Sequence, residues 1–225
     1  MTAVWGPLGW MTLHSITTSY SETPTLAEKQ LMTSWLEMFR DTITCPHCKE
    51  HFGEMYANYK RVYPNYLNSR QDFAMFAFRC HNTVNRRLKK PIYESVTACM
   101  ERLRENVKSR SARDYRIAYL NHVTRFWKTL QDISGITALK KINEMRRIEA
   151  EYFTPKDLNF NVTILEGPVV VPHGVLEKAT PGEQPAILPR IVAPRPAPVT
   201  PDNRGPTRMP MGVGFRMTPG GLRLR

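Results

Sequence analysis

Through the first 153 residues apolar side chains return every three or four positions, and no long alternating run marks a strand. The spacing predicts seven helices. The first runs from about Gly6 to Tyr20. The second starts at Thr25, where Thr25 and Glu28 have capping-box spacing, and carries Leu31, Trp35, Met38 and Phe39. The third begins at Cys45-Pro46 and reaches about Tyr63. The fourth starts at Ser69 and ends before Pro91. A fifth spans about Tyr93 to Val107, and two more cover roughly 112–132 and 136–152, parted at Ser134-Gly135.

The fourth helix has two faces of different character. Phe73, Phe76, Ala77, Cys80, Val84 and Leu88 form an apolar stripe. Beside it lie Phe78, His81, Asn82 and Asn85, whose polar groups need partners if buried. In the later helices Tyr115, Ala118, Tyr119, His122, Phe126 and Leu130 recur at helical spacing, as do Ile136, Leu139, Ile142 and Met145.

Composition changes this picture near Thr154. Thirteen of the 18 prolines and eight of the 12 glycines fall in 154–225, where the only aromatics are Phe160 and Phe215. Such a segment lacks the apolar surface to offset its ordering entropy, so it reads as an extended or disordered tail. Three parts result: 1–103, a helical extension 104–153, and the tail 154–225. The formal charge is +12, of which the tail holds +4. The basic pairs Lys140-Lys141 and Arg146-Arg147 come without an aromatic platform, which argues against nucleic acid as the partner. The apolar runs are too short for a membrane span, and no secretory leader is recognisable. In the tail, Arg195 to Pro201 fits a proline-rich ligand pattern, and Asn161-Val162-Thr163 is a glycosylation sequon.

Cys45-Pro46-His47-Cys48 is the chemical feature. A CxxC opening a helix is suited to redox work, because the helix dipole and free N–H groups favour a thiolate, and Pro46 fits the first helical position. The competing reading is zinc, held by Cys45, Cys48 and His51 with Cys80 or His81. No second CxxC follows, and no βαβ pattern supports a thioredoxin fold.

Three motifs in order resemble the Erv/ALR family of FAD-linked sulfhydryl oxidases. Trp5 to His14 resembles its opening helix, Cys45 to Phe52 its redox centre, and His81 to Pro91 its flavin-binding HNxVNxxLxKP motif. Ser69-Arg70 and Phe73 are similar as well, and the resemblance covers roughly residues 4–95. The short module followed by an unfamiliar extension is most similar to virus-encoded members.

The resemblance implies an all-α fold: a four-helix bundle plus a short fifth helix, holding FAD non-covalently and using no metal. It implies that a substrate thiolate attacks Cys45, that Cys48 is the flavin-proximal sulfur, and that oxygen is the final acceptor, giving hydrogen peroxide. Trp10, His14 and Tyr20 match first-helix cofactor contacts; His81, Asn82, Asn85, Arg87 and Lys90 match the nucleotide-gripping face; His51 and Phe52 match the pocket wall. It also implies a homodimer, acting on a protein dithiol or a thioredoxin- or glutaredoxin-like relay protein. The implied setting is a host cytoplasm or virion for a viral protein, or the mitochondrial intermembrane space.

The sequence departs from the family pattern in places. A structural disulfide would fall at Phe78 and Ser95, which are not cysteines; Cys80 and Cys99 nearby offer a substitute bridge, with Cys80 otherwise a small buried hydrophobe. A cofactor-stacking Trp would fall near Arg102, and Pro7 stands where an Arg is common.

Overall fold

The computed structural model describes residues 2–162 and 167–172. Most of the tail, including the Arg195–Pro201 pattern and Thr163 of the sequon, lies outside the described residues. The described residues form seven α-helices and no strand: α1 (Thr2–Thr18), α2 (Leu26–Thr42), α3 (Pro46–Val62), α4 (Arg70–Arg87), α5 (Val96–Ser109), α6 (Ala112–Lys128) and α7 (Ile133–Ile148). A π-helical turn, Glu149–Phe153, closes α7.

Side chains set the helix starts. Thr25 and Glu28 form the complete capping box of α2. Ser69, Ser95 and Ser111 cap α4, α5 and α6 through their hydroxyls. Asp132 caps α7 by accepting from the Gly135 amide. This cap corrects the expected boundary: α6 stops at Lys128 and α7 starts at Ile133, so Ser134-Gly135 lies inside α7. Glycine is required at 135, because a Cβ there would come within 2.1 Å of the Leu130 carbonyl oxygen.

α1 sits at the centre, packed by α4, α5 and α6, while α7 packs on α6 and α2. This explains why α1 is apolar almost all round. The main core joins Leu13 and Ile16 of α1 with Trp35, Leu36 and Phe39 of α2, Phe73 and Phe76 of α4, and Tyr119, Leu120, Val123, Ile142, Met145 and Ile148 of α6 and α7. A smaller core lies between α4 and α5, from Met75 and Phe78 to Val96, Cys99, Met100 and Leu103.

The buried face of α6 differs from the expected stripe. Ala112, Arg116, Tyr119, Leu120 and Val123 are buried, whereas Leu130 is exposed. On α7, Ile142 and Met145 are buried and Ile136 is exposed. The reason is Arg116, which is buried in a two-pronged ion pair to Glu149, with Nε 2.6 Å and Nη2 3.0 Å from the carboxylate oxygens. On α4, Leu88 of the expected apolar stripe is exposed instead.

Beyond the π-turn the described chain runs back over the bundle. The Asn159 amide donates to the Thr18 carbonyl. Arg70 donates to the carbonyls of Asn159 and Asn161. Arg79 donates to the Pro168 carbonyl, and the Val171 amide donates to Thr83, with Val171 buried in the main core.

Candidate active site

α3 begins at the CxxC. Cys45 is its N-cap, its sulfur accepting from the Cys48 amide at 3.2 Å, and Pro46 follows at the first helical position. Cys45 and Cys48 are joined in a disulfide, with Cα atoms 5.2 Å apart. Both are only partly buried.

Behind the disulfide lies a cavity of about 800 Å³, at the large end for a ligand site. Cys48 lines it and Cys45 does not. α1 contributes Trp5, Trp10, Met11 and His14; α2 contributes Phe39; α3 contributes Cys48, His51 and Phe52. The end of α4 and the loop after it contribute His81, Val84, Asn85, Arg87, Lys90, Pro91 and Tyr93. α5 closes the far side with Cys99, Arg102, Leu103 and Asn106.

Three aromatic rings organise one wall. The rings of Trp10 and His81 stack 4.4 Å apart and 9° from parallel. His14 Nε2 lies 2.9 Å from His81 Nδ1, so the two imidazoles share one proton in a hydrogen bond. Burial, reinforced by His81, pushes His14 well below the ordinary imidazole range. Burial, reinforced by Lys90, lowers His81 to about 4. Both rings are therefore neutral at pH 7. At the rim, Arg87 Nη1 donates to His51 Nδ1 at 2.7 Å, which places the His51 proton on Nε2.

Nine of the eleven expected site residues converge on the disulfide and its cavity; Tyr20 and Asn82 do not line it. Tyr20 is buried with its hydroxyl donating to the Leu67 carbonyl, and its ring meets Phe73. Asn82 is fully buried and its amide is used structurally: it donates to the Tyr93 and Val169 carbonyls and accepts from the Tyr93 amide. Asn82 thus holds the loop that carries Tyr93, rather than facing the cavity itself. The zinc set does not assemble: Cys45 and Cys48 are bonded to each other, and Cys80 is sealed in the main core. Cys80 and Cys99 are both free thiols in different cores, so the substitute bridge is not formed.

Cys99, offered by the sequence as a bridging thiol, instead lines the wall with its sulfur 3.9 Å from His14 Nε2, and burial raises its pKa to about 12. Other cavity residues had no signal of their own in the sequence. Leu103 and Asn106 reach the cavity only because α5 packs beside α1.

The lining suits a flavin dinucleotide on three counts. Stacked rings offer a flat apolar wall for a ring system. Arg87, Lys90 and Arg102 line the cavity with no acidic residue among its walls, as a diphosphate requires. The Trp5 indole N–H is buried without a partner, a donor waiting for an acceptor.

A solvent-facing disulfide at a helix start, backed by a nucleotide-sized cavity inside a helical bundle, defines a thiol-redox protein. The sequence model of the Erv1 / Alr family matches residues 8–110. The FAD-linked sulfhydryl oxidase of African swine fever virus (isolate Tick/Malawi/Lil 20-1/1983) is 37% identical over 89 residues, covering 39% of this chain and 71% of the viral protein. The mitochondrial FAD-linked sulfhydryl oxidase ERV1 of Saccharomyces cerevisiae is 30% identical over 89 residues, 40% of this chain and 45% of the yeast protein. The yeast FAD-linked sulfhydryl oxidase ERV2 is 28% identical over 92 residues, 41% and 45% of the two chains. No solved structure gives a significant match. The chain belongs to the Erv1 / Alr family.

Proposed function

We propose that this protein is a FAD-linked sulfhydryl oxidase that makes disulfides in protein dithiols. The observation that carries the reading is the placement of one disulfide between two environments: Cys48 lines the cavity, and Cys45 stands outside it. The names of the viral and yeast relatives support the same activity.

The chain's own residues account for the thiol steps. A substrate thiolate bonds to the Cys45 sulfur, the Cys45–Cys48 bond breaks, and the electron pair leaves on Cys48. A second substrate thiolate then attacks the mixed disulfide, releasing oxidised substrate and Cys45 thiolate. The start of α3 stabilises these thiolates through its free N–H groups and dipole. FAD, when bound, would supply a two-electron acceptor for the reduced dithiol, with oxygen as the final acceptor and hydrogen peroxide as the product. Trp10, His14, His51, His81, Asn85, Arg87 and Lys90 would hold it, with the neutral histidine pair keeping positive charge away from the stacked wall. Tyr20 and Asn82 act one layer back, by fixing α1 and the Tyr93 loop.

On the resemblance, the reading includes a homodimer and a protein dithiol or relay protein as donor. The African swine fever virus relative supports a viral, host-cell setting, and the mitochondrial yeast relative supports the alternative one. No helix among the described residues is long and apolar enough to cross a membrane.

The test is an absorbance spectrum followed by turnover. The purified protein should carry flavin absorbance and release peroxide with dithiothreitol. Cys48→Ser should keep the flavin spectrum and lose turnover by at least about a thousandfold. A protein that stays colourless after refolding with FAD refutes the reading.

A further inference from the structure

The oxidase reading leaves Arg86, Lys89 and Ile92 of one basic surface without a role. From Phe73 to Tyr93 the chain carries Arg79, Arg86, Arg87, Lys89 and Lys90 and no acidic residue. Arg86 through Ile92 are all exposed. Among the described residues no ion pair engages Arg86, Arg87, Lys89 or Lys90; the acidic residues nearest in sequence on α3 and beyond the tract, Glu50, Glu54 and Glu94, do not reach them.

The tract borders the cavity that Cys48 lines. Arg87 and Lys90 line the same cavity as Cys48, and the Arg87–His51 hydrogen bond ties the tract to the turn that follows Cys48. A bound diphosphate would offset Arg87 and Lys90, but Arg86 and Lys89 do not line the cavity. Lys89 adopts φ 53°, where the chain turns out of α4. The α4 dipole favours Arg86 and Arg87 in its last turn, but Lys89 lies past the helix end. Ile92, 41% exposed and outside the cavity lining, places apolar contact area beside these cations, whereas the exposed Leu88 also lines the cavity.

We infer that the natural electron donor is a protein dithiol set in an acidic surface, docked on the Arg86–Ile92 tract with its thiol at Cys45. The inference rests on the oxidase reading and names the substrate class of that site. Its chemistry follows from charge. Acidic neighbours hold a substrate thiol protonated in free solution, because they oppose the thiolate. Docked on the tract, the same groups are offset by the cations, so the thiol gives its proton to solvent water where Cys45 can be attacked. The thiolate then bonds to Cys45, the Cys45–Cys48 bond breaks, and the pair leaves on Cys48.

The test compares three donors with the full chain: dithiothreitol, a two-cysteine peptide flanked by aspartates, and the same peptide flanked by lysines. The acidic peptide should show a KM about tenfold below that of the basic one, with the ratio collapsing toward one near 1 M salt. The double variant Arg86→Gln/Lys89→Asn should raise the KM for the acidic peptide about fivefold and leave dithiothreitol turnover and flavin absorbance unchanged. Asparagine tolerates the positive φ at 89. Equal KM values for the two peptides, or an unchanged KM in the double variant, overturn the docking proposal while dithiothreitol turnover upholds the oxidase. A flavin-loaded protein that does not oxidise dithiothreitol overturns the oxidase reading instead. Stronger competition by duplex DNA than by a cysteine-free aspartate peptide would reassign the tract to nucleic acid and overturn the proposal.

Discussion

Four cysteines occupy three distinct environments. Cys45 and Cys48 share a disulfide at a helix start, Cys80 sits in the main core, and Cys99 lines the cavity beside His14. Burial raises the Cys99 pKa to about 12 and pushes Cys80 well above the ordinary thiol range. At pH 8 only about one Cys99 in 10⁴ is a thiolate, so it should resist alkylation although it faces the cavity. The native oxidised protein should therefore react with no equivalent of a thiol reagent at pH 8. It should react with two in guanidinium and four after reduction, counted by mass. Two reactive thiols in the native state would place Cys80 and Cys99 elsewhere than in the cores described. The CxxC was legible in the sequence because its spacing is local, and His81 because it broke the apolar pattern beside the α4 stripe; Trp10 came only from the family resemblance. The roles of Asn82 and Tyr20 were not, because a side chain's hydrogen-bond partners are set by distant backbone: Val169 for one and Leu67 for the other.

At the scale of elements, helix existence was legible and helix orientation less so. Capping residues marked the starts of α2 and α4, since a cap is a local bond. The face of α6 was not legible, because a periodicity argument treats Arg116 as a solvent residue. Its guanidinium is 4% exposed against Glu149 at 5%, with Ser15 of α1 a further acceptor at 3.4 Å. This pair joins α6 to the turn after α7. Arg116→Met should cost about 3–5 kcal/mol, since it strands a buried carboxylate. Arg116→Met/Glu149→Met should recover most of that loss, because two apolar groups of similar size restore contact without a charge. Denaturant melts of the three proteins measure both numbers. A double variant no more stable than the single would mean that the pair fixes the α6 register itself.

At the scale of the molecule, the family match and the core end in different places. The family model stops at residue 110, and the relatives align over about 90 residues. The core does not stop there. Tyr119, Leu120, Val123, Ile142, Met145 and Ile148 are each no more than 3% exposed, and they cover Leu13, Ile16, Trp35 and Phe39. Trp127 also donates its indole N–H to the Thr42 carbonyl at the end of α2, just before the redox motif. Removing α6 and α7 would uncover six large apolar side chains' worth of contact. At about 1.5 kcal/mol or more per buried side chain, that is on the order of 9 kcal/mol, comparable to the whole stability of an ordinary domain. A fragment of residues 1–110 should therefore fail to fold as the full chain does. It should bind a hydrophobic dye, lose near-ultraviolet dichroism and hold no flavin. A fragment of residues 1–172 should keep all three native properties, because it retains α6, α7 and the return segment with the buried Val171. If the shorter fragment instead melts cooperatively and binds FAD, then α1 to α5 close a core of their own, and α6 and α7 are an addition rather than a part of it.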